Sequence, residues 1–221
     1  MPHPSAQGPA ATRPRMRGVL HHYAFYASLV SGAALIAMAP GRVQLVVAAV
    51  YGASLSALLG VSALYHRVTW SRAARRRMGR LDHSMINVLI AGTFTPFGVV
   101  AVSGTFALVL LAIMWGGAIA NILLHVLWFD APKWLSAVSY VALGWVGVMA
   151  MPELFTHAGW APTLLLLAGG VLYSLGALVY ALRRPDPVPT VFGYHEVFHA
   201  LVVAAAMAHY AAVAMTILPG S

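Results

Sequence analysis

Seven near-continuous apolar stretches decide what this chain can become. They run at roughly 19–39, 43–66, 82–102, 105–128, 134–151, 162–182 and 195–217, each bounded by Pro, Gly or a charged residue. An α-helix needs about 20 apolar residues to cross the hydrocarbon core of a bilayer, and a barrel strand would instead alternate over about ten. The stretches have helical length and do not alternate, so the sequence predicts an all-α integral membrane protein, a bundle of seven transmembrane helices. Its many Ala, Gly and Ser residues suit close helix contact in lipid. At 221 residues, 61% hydrophobic and 8% charged, the chain has no room left for a separate soluble domain. The expected organisation is a basic disordered tail over residues 1–17, too poor in apolar surface to fold, followed by a transmembrane domain over residues 18–221.

Charge fixes the expected orientation. Threading seven crossings through the membrane puts Arg13, Arg15, Arg17, Arg67, Arg72, Arg75, Arg76, Arg77, Arg80, Lys133, Arg183 and Arg184 on one side and only Arg42 on the other. The positive-inside rule then predicts a cytoplasmic amino end and an outside carboxyl end. The formal net charge of +8 is thereby explained by topology and by anionic lipid headgroups, at about 1 kcal/mol per basic side chain near the surface, and no nucleic-acid partner is called for. The first apolar run follows three arginines and ends Ala37-Met38-Ala39, as a signal peptide might, but it is longer than a signal core and Pro40 would directly follow the cut. It is read as a retained helix.

Few ionisable residues fall within the apolar stretches, and inside a bilayer each is costly enough to mark function by default. With no cysteine in the chain, thiolate chemistry and sulfur-bound metals are excluded, leaving His, Asp, Glu, Ser and water. Ser62 and His66 end the second stretch, Asp82 opens the third, and His195 and His199 open the seventh, so the predicted topology gathers all of them at the cytoplasmic side. Ser62/His66 and His195/His199 are each spaced i, i+4, which places each pair on one helix face. Three neutral imidazoles with an open fourth position form a common catalytic zinc sphere, so His66, His195 and His199 are the expected ligands. Zinc lowers the pKa of a bound water from about 15.7 to about 7. Asp82 is expected to orient that water and take its proton, and Ser62 to donate a hydrogen bond to substrate or to Asp82.

Other readings use the same residues. His195-Glu196-Val197-Phe198-His199 fits the H-E-x-x-H pattern of metalloproteases, in which the Glu is the general base, although no acidic residue follows His199 to serve as a further ligand. Ser62, His66 and Asp82 could form a serine-hydrolase triad, which would leave the seventh-helix pair idle. His21, His22, His83, His125 and His157 are read as interfacial or hydrogen-bonded residues. His209, fourteen residues after His195, returns to a similar face but about 21 Å along the helix, too far to share the ion. The Trp and Tyr residues near stretch ends are read as interfacial anchors. Imidazole ligands also accept Fe, Co or Mn.

Three motifs together resemble one family. The segments Ser62–His66 (SALYH), Leu81–Phe97 (LDHSMINVLIAGTFTPF) and Phe192–Tyr210 (FGYHEVFHALVVAAAMAHY) look like the PAQR and hemolysin III group, which includes the adiponectin and progestin receptors, and weaker similarity extends over nearly all seven helices. The resemblance implies a seven-helix fold with the amino end cytoplasmic, zinc held by His66, His195 and His199, and Asp82 contacting the metal through water with Ser62 beside it. It also implies hydrolysis of an amide or ester in a lipid such as ceramide, a role in membrane lipid homeostasis, and location in the bacterial plasma membrane. A non-catalytic lipid-responsive receptor with structural zinc is the alternative it carries. Relatives of the receptor type keep the HxxxH pair without requiring Glu between, which favours Asp82 over Glu196 as base. The chain departs from the family before the first helix, where Arg15, Gly18 and His21-His22 stand in place of the usual Glu, Asn and Thr-His.

Overall fold

The computed structural model describes residues 14–128 and 132–218. Its elements are α1 (Val19–Ala37), α2 (Arg42–Arg67), α3 (Arg72–Val100), α4 (Gly104–Leu127), α5 (Lys133–Trp145), a 3-10 stretch (Val146–Ala150), α6 (Met151–His157), α7 (Trp160–Leu182) and α8 (Tyr194–Ile217). Among the described residues, seven spans are long and apolar enough to cross a membrane, the fifth being the continuous run Trp134–His157 through α5, the 3-10 stretch and α6. The chain is an all-α, multi-pass integral membrane protein.

Two boundaries differ from those read off the apolar pattern, each for a local reason. Helix α3 starts at Arg72, ten residues before the apolar stretch, because Ser71 caps it through a hydrogen bond from the Ala74 amide at 3.3 Å and Ala, Arg and Met favour a helix whatever its hydropathy. Its 29 residues span about 43 Å, more than the bilayer core of about 30 Å, so the arginine-bearing turns project beyond the apolar layer. The fifth crossing continues past Pro152 to His157, because proline is tolerated in a helix's first turn and Glu153 finds partners in the Ser103 amide and hydroxyl, at 2.9 and 3.1 Å.

Consecutive helices pack against one another, and α8 returns to meet α1, α2 and α3, closing the bundle. Helix α3 is the most enclosed span and α7 the least. Between α1 and α2 the backbones nearly touch at Gly32 and Gly52, where a Cβ on either would meet the other's Cα at about 3.4–3.5 Å; small residues permit such contact where lipid supplies no hydrophobic drive. The core holds Leu35, Tyr51, Leu89, Phe97, Leu110 and Val213. Val30, Leu108 and Met207, each more than two-thirds exposed, point outward, which suits a surface solvated by acyl chains.

The starts of α1, α3, α5 and α8 and the ends of α2, α4 and α7 share one face of the bundle, the face that carries Arg67, Arg72–Arg80 and Arg183–Arg184. Residues 1–13 of the expected tail lie outside the described residues. The described part, Pro14–Arg17, is not free: the Arg15 and Met16 amides donate to the carbonyls of Thr190 and Val191 at 3.0 Å each. The segment leading into α1 is thus strapped to the loop before α8. Composition cannot foresee this, because the strap is held by backbone pairing and one ion pair rather than by apolar area.

Candidate metal centre

His66, in the last turn of α2, and His195 and His199, in the first two turns of α8, each offer a nitrogen, and these atoms all lie within 4.8 Å of one another. The Nε2 atoms of His66 and His195 are 3.2 Å apart. Two ligands on one tetrahedral zinc ion at 2.0–2.1 Å stand about 3.3 Å apart, so the spacing and the all-imidazole donor set fit a metal ion. A cation requires neutral imidazoles, and His66 and His199 are buried. The spacing-based expectation that two crossings remote in sequence bring three imidazoles together matches this geometry.

Asp82 and Ser62 stand beside the cluster. A carboxylate oxygen of Asp82, now ten residues inside α3 rather than at its start, is 3.8 Å from His66 Nε2, and Ser62 and Asp82 line the same cavity. The Ser62 hydroxyl also shares a 2.8 Å hydrogen bond with His21 Nδ1.

His21, expected to be an interfacial or hydrogen-bonded residue, is hydrogen-bonded inside the site, a place the sequence reading did not give it. It is 3% exposed and its ring stacks on His199, centroids 3.8 Å apart and planes within 3°, so it fixes one face of that imidazole while tethering Ser62. A signal existed: His21, Ser28, Gly32 and Leu35 form the buried stripe of α1 at spacings of seven, four and three residues, a helical core face with unusually small members. Gly18 completes the approach. It has a φ of +75°, and a Cβ there would lie 2.6 Å from His66 Cβ, so glycine alone lets the strap cross the ligand.

Glu196 is occupied elsewhere. It is 1% exposed, one carboxylate oxygen pairs with the Arg17 guanidinium, and the other accepts the Gly193 amide at 2.9 Å, closing the first turn of α8. Arg17 therefore supplies a cation to an acid on α8.

The cluster heads a cavity of about 360 Å³ whose lining runs from Arg17, Tyr65 and Arg75 at the arginine-rich face, past Asp82 and the histidines, to Phe94, Leu166 and His209 deep in the bundle. That volume lies within the usual range for small-molecule sites, about 300–1,000 Å³. Most of its inner wall is apolar.

Comparison with known proteins shows the family. A family model described as "Haemolysin-III related" matches residues 10–210, which include every residue of the cluster. The chain belongs to the haemolysin-III-related family. It is 31% identical over 161 residues to the hemolysin-3 homolog of Bacillus subtilis, covering 73% of this chain and 72% of the relative. Hemolysin-3 of Bacillus cereus is 32% identical over 170 residues, covering 77% and 74%. The adiponectin receptor protein of Drosophila melanogaster is 31% identical over 170 residues, which is 69% of this chain and 38% of that longer protein. The similarity thus joins the hemolysin III and PAQR groups, as the three motifs imply.

Proposed function

We propose that this haemolysin-III-related protein is a zinc-dependent hydrolase of the membrane that cleaves an amide or ester bond in a lipid and serves membrane lipid homeostasis. The observation that carries the reading is the placing of a three-imidazole cluster, with one carboxylate beside it, at the polar head of an otherwise apolar cavity. His66, His195 and His199 would hold the ion, and a bound zinc supplies carbonyl polarisation and a more acidic water. The arginine-rich face is assigned to the cytoplasm and to anionic headgroups, in a plasma membrane like that of the Bacillus relatives' cells.

The chain's own groups then divide the work. The substrate's chain lies along Ile86, Ile90, Leu166 and Val202, which excludes water from all but the head of the cavity. Asp82 takes a proton from the attacking water as its oxygen bonds to the carbonyl carbon, and returns it to the leaving amine or alcohol as the C–N or C–O bond breaks. The Ser62 hydroxyl holds Asp82 or the substrate carbonyl in register, and His21 keeps Ser62 in place.

Glu196 is a poor general base, since Arg17 and the Gly193 amide consume both of its oxygens; this argues against the metalloprotease reading. A serine triad is disfavoured because Ser62 bonds His21 while His66 converges on His195. The receptor reading keeps one support, the similarity to the Drosophila adiponectin receptor. Against it, the cluster among the described residues has three histidines, and a closed structural zinc site generally has four protein ligands.

The deciding assay presents the purified full-length protein in nanodiscs with ceramides, other N-acyl lipids and ester lipids, and follows fatty-acid release by mass spectrometry. Release by the zinc-loaded wild type, lost in Asp82→Asn at unchanged metal content, is expected. No release from any lipid, or equal release by Asp82→Asn, would overturn the hydrolase reading.

A further inference from the structure

The inner end of the cavity is polar on two sides. His209 on α8 and Tyr173 on α7 both line it, among Leu166, Leu167, Met151 and Val202. His209 Nε2 lies 2.9 Å from the Leu166 carbonyl oxygen; a carbonyl only accepts, so this nitrogen carries the proton and Nδ1 is left as an acceptor. Nδ1 of His209 and the Tyr173 hydroxyl are both buried with no hydrogen-bond partner, and their rings are 5.3 Å apart. Gly169 makes the arrangement possible, because a side chain there would collide with the imidazole. Buried polar groups without partners are costly and rare, and two beside one cavity form a matched acceptor and donor.

We propose that Tyr173 and His209 form a second polar subsite, which recognises a hydroxyl group carried on the chain of the bound amphiphile. A hydroxyl accepts from Tyr173 and donates to His209 Nδ1 at once, which neither a methylene nor a carboxylate does. His209 follows His199 by ten residues, about 15 Å along α8, so the hydroxyl is read about a dozen methylene units from the end held at the histidine cluster. A water molecule has the same hydrogen-bonding chemistry, and the test separates the two. The inference rests on the proposal that an amphiphile's chain fills this cavity.

The test measures displacement of a fluorescent fatty acid from the full-length, zinc-loaded protein in nanodiscs. The competitors are octadecanoic, 12-hydroxyoctadecanoic and 6-hydroxyoctadecanoic acids. The 12-hydroxy acid is expected to bind at least about tenfold tighter than octadecanoic acid, a ratio of the size one or two buried hydrogen bonds give, and the 6-hydroxy isomer to show no such gain. Tyr173→Phe, which removes only the hydroxyl oxygen, should reduce the ratio below about threefold and leave octadecanoic acid unaffected. Equal binding of all three acids by the wild type means that water serves the pair, and overturns the subsite while the cavity reading stands. Binding of none overturns both. The wild-type ratio needs no variant to fold.

Discussion

Among the described residues, two groups of histidines sit at the same face of this bundle, and they use the same side chain in different ways. At His66, His195 and His199 the ring nitrogens converge on one another. At His83 and His125 they are used by neighbours: His125 Nδ1 donates to the Asn121 carbonyl at 2.6 Å, so its Nε2 accepts the Tyr140 hydroxyl at 2.7 Å, and His83 Nδ1 lies 3.4 Å from that same oxygen. The first cluster gathers one nitrogen of each ring within 4.8 Å of the others, and the second ties α3, α4 and α5 together by hydrogen bonds. What separates a cluster that could hold a metal ion from a structural network is therefore how the nitrogens are arranged, not the number of histidines.

The sharpest way to break that contrast is to truncate both clusters. His199→Ala should lower metal affinity by at least about a hundredfold, consistent with the loss of a direct ligand where even outer supports are worth 10–100-fold; His125→Ala should leave it unchanged, both read by metal titration of the purified chain. Equal losses would erase the distinction. Next in size, Asp82→Asn should keep the metal and slow lipid cleavage by about 10²–10⁴-fold, the range for general acid–base groups, as read from initial rates.

Smaller effects sharpen the view of what supports the site. Arg17→Ala removes the cation facing the buried Glu196 carboxylate and should cost about 1.5–3 kcal/mol, the value of hydrogen bonds to charged groups, seen as a lower midpoint in thermal unfolding. Tyr140→Phe should cost only about 1 kcal/mol and leave metal content alone.

The fold was legible because the bilayer imposes one signal, length of apolar run, and the i, i+4 pairs Ser62/His66 and His195/His199 told which faces matter. That signal says nothing about charged helix, so the first turns of α3 were invisible, as was the continuation of the fifth span beyond Pro152. His21 reads as an interfacial or hydrogen-bonded histidine, and it is hydrogen-bonded; its place against His199 is signalled only by the small residues Ser28 and Gly32 on the same helix face. The Arg17–Glu196 pair lay beyond reach, since it joins positions 179 residues apart across a backbone strap that no local propensity encodes.

The central claim is that residues 66, 195 and 199 converge on one metal ion, and elemental analysis of the purified full-length protein tests it most directly. About one equivalent of zinc per chain in the wild type, falling to background in His66→Ala, His195→Ala and His199→Ala while each remains folded by circular dichroism, is the predicted result. A metal-free wild type after zinc supplementation, or full metal content in all three variants, would contradict it.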